Sequence, residues 1–211
     1  MVGIDELDRV IARSEEFEEE LFQLLQSSAF ANDNKSTAIL TMYSIAQEHA
    51  ISLRELTRIR LLTSAMGMLR LQYEAVVRAI WVLYAASDST IDKLVAPLTP
   101  ENEQIAKNGL PSFAIMMNEI ERKSPPGVHR HLSGFKDNSW RHLNSFVHSG
   151  IHAVNRNKDG YPVVLLYSAI RQSNNLTHMS AIALVCLLEN GDLAMSVANT
   201  YKKYSDCLQL E

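Results

Sequence analysis

Apolar residues recur along this chain at intervals of three and four, the spacing of one face of an α-helix. No convincing run alternates apolar and polar positions with the period of two that a half-buried strand requires. From Ile4 to Gln26, the residues Leu7, Val10, Ile11, Phe17, Leu21 and Leu24 make one such face. After the FANDNKS loop, whose Asn, Asp and Ser offer caps, a second helix is predicted from Thr37 to Ile59, with Ile39, Met42, Ala46, Ala50 and Leu53 on its packing side. A third, capped by Thr63 or Ser64, reaches Ala86. Its centre, MLRLQYEAVVRAIWVLY, is apolar almost all round and marks the most buried helix of a bundle. Arg70, Glu74 and Arg78 interrupt it at four-residue spacing, on one face. They read either as an ion-pair ladder at the bundle edge or as a partly buried charge network shaping a cleft.

The pattern then loosens. Residues 88–125 carry Pro97, Pro100, Gly109, Pro111 and Pro125, with short helices expected near Ile105 and over Ser112–Arg122. A helix follows from Val128, kinked near Gly134, to about His148. The NRNKDGYP turn comes next, where Asp159-Gly160 suits a short ribbon. A long apolar helix over Val163–Leu188 and a last one over Asp192–Cys207 close the chain. The fold expected is all-α: an up-and-down helical bundle of six or seven helices, one domain over residues 1–211 with an irregular excursion at about 88–127.

Composition narrows the class. With 46% hydrophobic and 21% charged residues, 8 Gly and 6 Pro, the chain is neither low-complexity nor disordered. Cys186 and Cys207 are too few for a disulfide framework or a four-cysteine zinc site. The apolar stretches are too short to span a bilayer and the N-terminus lacks a signal-peptide pattern, so the expectation is a cytoplasmic protein without a membrane partner.

The net charge of −4 argues against a general nucleic-acid coat, yet it hides an asymmetry. Residues 1–28 hold eight acids and two bases, whereas residues 122–158 hold seven bases, one acid and five of the seven histidines. Within the second segment, SWRHLNSFVHSGIHAVNR places Trp140, Leu143, Phe146, Val147 and Ile151 on one side of a helix. Arg141, Asn144, His148 and His152 fall on another. Seven residues separate Arg141 from His148, about 10 Å along the axis, so their long side chains can share one phosphate.

An Arg, a polar neighbour (here His142) and a His after six intervening residues resembles the signature of the HEPN family (higher eukaryotes and prokaryotes nucleotide-binding). Arg122 to His129 and Arg171 to His178 share that spacing. The first straddles a Pro-Pro-Gly turn, however, and the second has Gln172 where the signature has Asn, Asp or His. The strings LRLQYEAVVRAIWVLYAAS and LNSFVHSGIH also resemble a proteobacterial protein family with no established activity. The HEPN resemblance implies an all-α homodimer, and a metal-independent endoribonuclease or RNA-binding protein of a bacterial toxin–antitoxin or defence system. No cofactor is implied, since RNA supplies its own 2′-hydroxyl nucleophile. His148 would be the acid or base and Arg141 would stabilise the phosphorane. His142, Asn144 and His152 would hold the phosphate, and Arg171 would join them if it lines the same cleft.

Two other readings stand beside this one. His148 and His152, at i and i+4, match a pair of metal ligands on one helix, with a third ligand to come from Glu48, His49, Glu74 or His178. The chain also reads as a non-catalytic helical module binding a protein or nucleotide partner. In either case Arg171, set in an apolar helix, needs a partner, with Glu74 the nearest candidate by pattern.

Overall fold

The computed structural model describes residues 2–100, 102 and 109–209, and every regular element among them is an α-helix. In chain order these are α1 (Ile4–Leu25), α2 (Asn34–Arg58), α3 (Leu62–Tyr84), α4 (Asp88–Val95), α5 (Phe113–Lys123), α6 (Pro126–Val147), α7 (Ile151–Asp159), α8 (Val163–Leu188) and α9 (Gly191–Lys203). Nine helices among the described residues exceed the six or seven expected. The additions are α4 and α7, both under three turns, too short for a face to show as a period. The helix expected near Ile105 lies outside the described residues. Gly160, at φ +94, ends α7 instead of turning a ribbon.

α3 is buried along most of its length, as its all-round apolarity predicts. It packs closely against α2, where the small side chains of Ala38, Ala46 and Ala50 are fully buried, and against α8 on another side. α1 and α2 also lie on α8, α9 covers α8 and α1, and α5 and α6 form a layer over α3. A polar clamp joins the two central helices: Gln72 donates to the Ser173 carbonyl and to Thr177 Oγ1, and accepts from Ser173 Oγ at 2.6 Å. Every group is buried and partnered, which is the condition for such a network to stabilise a core.

Helix ends explain the topology. Asp33 caps α2 by accepting the Ser36 N–H at 2.8 Å, and Ser112 caps α5 by accepting that of Ile115. α2 closes on Arg60 at φ +64, with the Leu61 N–H returning to the Leu56 carbonyl. That six-to-one bond around a left-handed residue reverses the chain and makes α2 and α3 an antiparallel pair.

The Arg70–Glu74–Arg78 ladder is the partly buried version of the two readings. Glu74 pairs with Arg70 and, at 3.1 Å, with Arg78. Arg70 is only 7% exposed, and its guanidinium lies 3.2 Å from the centroid of Trp140 on α6. Trp140, Phe113, Phe135 and the buried Tyr73 form one aromatic cluster, and the Tyr73 hydroxyl donates to the Leu132 carbonyl at 2.8 Å. This cluster fixes α6 on α3. No helix among the described residues is long and apolar enough to cross a membrane.

Candidate functional site

The column of polar residues expected along one helix is broken. α6 ends at Val147. His148 leaves the helical region (φ −106, ψ 18), Ser149 turns left-handed at φ +51, and Gly150 starts α7 in an extended conformation. The Gly150 N–H bonds the Ser145 carbonyl at 2.7 Å, again the six-to-one closure of a helix C-terminus. A serine holds the left-handed position here, although glycine meets no steric cost there.

Gly150 is required for a separate reason. A Cβ on it would lie 2.6 Å from Ser145 Oγ, the same oxygen that accepts the His152 N–H at 3.0 Å. Because Gly150 has no side chain to cap α7, Ser145 from the preceding helix performs that service.

This turn rearranges the candidate residues. His142 and His152, on different helices, come together edge to face with ring centroids 4.7 Å apart. Arg141 and His148 are both exposed, and Arg141 makes no ion pair with any described residue. His148 is not packed into the bundle, and its backbone N–H bonds the Asn144 carbonyl at 3.2 Å. Asn144 is half-buried. Lys158 is already paired with Asp159, at 3.4 Å, while Arg156 is exposed.

Two expectations for this region need correction. Val147 and Ile151, expected on the packing side, stand 41% and 71% exposed around the turn, with Val154 at 58%. His148 and His152 no longer share one helix as an i, i+4 pair, and the described residues contain no group of three or more His, Cys, Asp or Glu side chains able to hold a metal.

Arg171 stands apart from this site. Its Nε donates to the Leu208 carbonyl at 2.8 Å and Nη2 reaches the same oxygen, while the guanidinium stacks over Tyr167. Glu74, its expected partner, is occupied by Arg70 and Arg78. Asn174 and Asn175 act alongside Arg171: Asn174 Nδ2 donates to the Cys207 carbonyl, and Asn175 exchanges two bonds with the backbone of Gln209. The polar studs of α8 therefore fasten the segment that follows α9.

A second feature escaped the sequence reading. α6 packs on α3 and stands off from α8, leaving a groove of about 1170 Å³ between them. Ser139 Oγ crosses from α6 to α8 by donating to Gln172 Oε1 at 2.9 Å, both residues lining the groove. Phe135, Leu176, Met179 and Ile182 line it, together with Arg130 and His131 from the first turns of α6. On its α8 wall, the His178 Nε2–H donates to the Val197 carbonyl at 3.0 Å. Burial pushes the His178 imidazole below its ordinary pKa. A smaller pocket of about 170 Å³, lined by His142, shares Asn138, Ser139 and Gln172 with the groove. The available signal was Gly127, His131, Gly134 and Asn138 on α6, small or polar at spacings of four, three and four, facing polar residues of α8.

No curated protein and no solved structure matches the chain. A family model does match, over residues 43–210, a span that takes in everything from α3 to the C-terminal fastening. On that coverage the chain belongs to DUF6988, a family of unknown function.

Proposed function

We propose that the face around the α6–α7 turn is an RNA-phosphate site, and that the protein is an HEPN-like, metal-independent endoribonuclease of a bacterial defence or toxin–antitoxin system. The observation that carries this reading is the meeting of His142 and His152 at 4.7 Å beside the exposed Arg141 and His148. On this reading the exposed His148 serves as acid or base, His142 and His152 from different helices hold the phosphate and supply the second proton-transfer group, and the exposed guanidinium of Arg141 offers charge to the pentacoordinate phosphate. The base takes the proton of the ribose 2′-hydroxyl, whose oxygen attacks the adjacent phosphorus. The acid returns a proton to the departing 5′-oxygen. The products are a 2′,3′-cyclic phosphate and a 5′-hydroxyl, with no water or metal consumed.

Exposed Val147, Ile151 and Val154 border the histidines and suit self-association, which would bring a second Arg141–His148 pair to the same substrate. Single-stranded RNA incubated with the protein in EDTA should yield cyclic-phosphate ends. Arg141→Ala and His148→Ala should each slow cleavage at least about a hundredfold with Tm unchanged. Absence of cleavage, or full activity in His148→Ala, rejects the nuclease. The alternative, a non-catalytic module that binds a partner or ligand, draws its support from the α6–α8 groove.

A further inference from the structure

We propose that the groove between α6 and α8 binds a small molecule with an apolar body and a carboxylate head. This inference is independent of the nuclease reading, since the residues of the α6–α7 turn do not line the groove.

Shape is the first argument. On α6 the groove extends from Gly127 to Ser139, about 18 Å at the rise of a helix, and its volume of about 1170 Å³ is that of a generous small-molecule site. Leu83, Tyr84, Val128, Phe135, Met179 and Ile182 turn apolar surface into it without being fully covered. That is apolar area an occupant removes from water.

Charge is the second. Among the described residues lining the groove, no side chain is a carboxylate and the formally charged one is Arg130, accompanied by the imidazoles of His131 and His178. Arg130 is exposed on the α6 wall, within a turn of Gly127, and makes no ion pair with a described residue. A groove whose described lining carries one guanidinium and no carboxylate complements an apolar molecule with one negative end.

Gly134 is the third. It sits within α6, in the groove wall, where glycine destabilises a helix relative to alanine. A Cβ there would meet nothing within 4 Å, and its φ is not positive, so neither packing nor backbone geometry calls for glycine. Its effect is to keep the channel wide beside Phe135.

The test is isothermal titration calorimetry on the full chain with decanoate, and with 1-decanol as its uncharged counterpart. Decanoate should bind about fivefold more tightly than decanol, the order of one partly exposed charge-assisted contact. Arg130→Gln should abolish that preference while leaving decanol binding unchanged. Gly134→Leu should weaken both ligands at least tenfold with Tm unchanged or raised, because leucine is the better helix former. Ala198→Phe, at an exposed position on the α9 wall, is a second plug and should act alike. The proposal is overturned if decanoate fails to bind at millimolar concentration, if both plugged variants bind normally, or if Arg130→Gln keeps the preference for the acid.

Discussion

Gly150→Ala tests whether the α6–α7 turn is held by a single oxygen. The backbone of Gly150 (φ −78, ψ −170) suits alanine, so the substitution adds no dihedral strain and its cost is steric. The new Cβ would sit 2.6 Å from Ser145 Oγ but an ordinary 3.4 Å from Ser145 Cα and Cβ, so the clash resides in the hydroxyl alone. Relieving it requires Ser145 to rotate away and drop the His152 N–H. Overpacking and the lost cap together predict about 2 kcal/mol of destabilisation.

Ser145→Ala deletes the oxygen directly, and the expected cost is about 1 kcal/mol for the cap. Independent effects would sum to about 3 kcal/mol. In the double variant, however, the clashing atom is gone and the cap has been lost only once, so about 1 kcal/mol is expected, a coupling of about 2 kcal/mol. Urea unfolding of the wild type, both single variants and the double variant measures each number. For a chain of this size the double variant should melt roughly 2–4 °C below the wild type. Additive losses would refute the shared-oxygen account. On the nuclease reading, Gly150→Ala should also slow RNA cleavage more than its loss of stability explains, because it displaces His152 relative to His142.

Three further expectations follow from the packing. Tyr73→Phe removes a buried hydroxyl that donates to the Leu132 carbonyl, and should cost about 1–2 kcal/mol in chemical denaturation with the aromatic cluster otherwise intact; a change within a few tenths would mean that this bond does not hold α6. Burial lowers the pKa of His178, and also that of His49, so the unfolded chain binds more protons than the folded one below about pH 6.5. Stability is therefore present above that pH and lost as pH falls through it: Tm should drop between pH 7.5 and 5.5, and His178→Gln should reduce the drop, whereas an unchanged slope would assign the effect elsewhere. Arg171→Leu should lower stability by about 1–2 kcal/mol by releasing the Leu208 carbonyl, while any RNA cleavage stays at the wild-type rate; a selective loss of cleavage would return Arg171 to the site.

The long helices were legible because each presents a full face to the bundle. Leu7, Val10, Ile11, Phe17 and Leu21 are all buried as their spacing predicts, and α3, apolar all round, is enclosed as expected. The cap of α3 was not legible: Thr63 and Ser64 lie inside the helix, which starts from Leu61 with no side-chain cap. The end of α6 was legible to within a residue, Val147 against about His148, but the restart of the chain as α7 was not, since the left-handed residue is a serine and the glycine beside it serves a contact with Ser145, so the polar column continues through the turn on paper only. Ile151 belongs to α7, so its register does not continue that of α6. Arg171 misled differently. Its partner is a backbone carbonyl far along the chain, and main-chain acceptors leave no mark in side-chain spacing. The groove was invisible because it is a place where two amphipathic helices fail to touch.

The aromatic seam over α3 also makes the protein its own reporter. It has two tryptophans, and both sit where the α5–α6 layer meets α3. Trp81, on α3, donates its indole N–H to Glu119 of α5 at 2.6 Å, while Trp140, on α6, meets the Arg70 guanidinium and stacks on the ring of Phe113. Neither indole touches the α1–α2–α8 side through a ring contact or a side-chain hydrogen bond among the described residues. Intrinsic fluorescence therefore follows one seam of the molecule. If the α5–α6 layer lifts before the remaining bundle melts, emission will shift while far-ultraviolet dichroism holds, and the two signals will separate the peeling of a layer from the loss of helices.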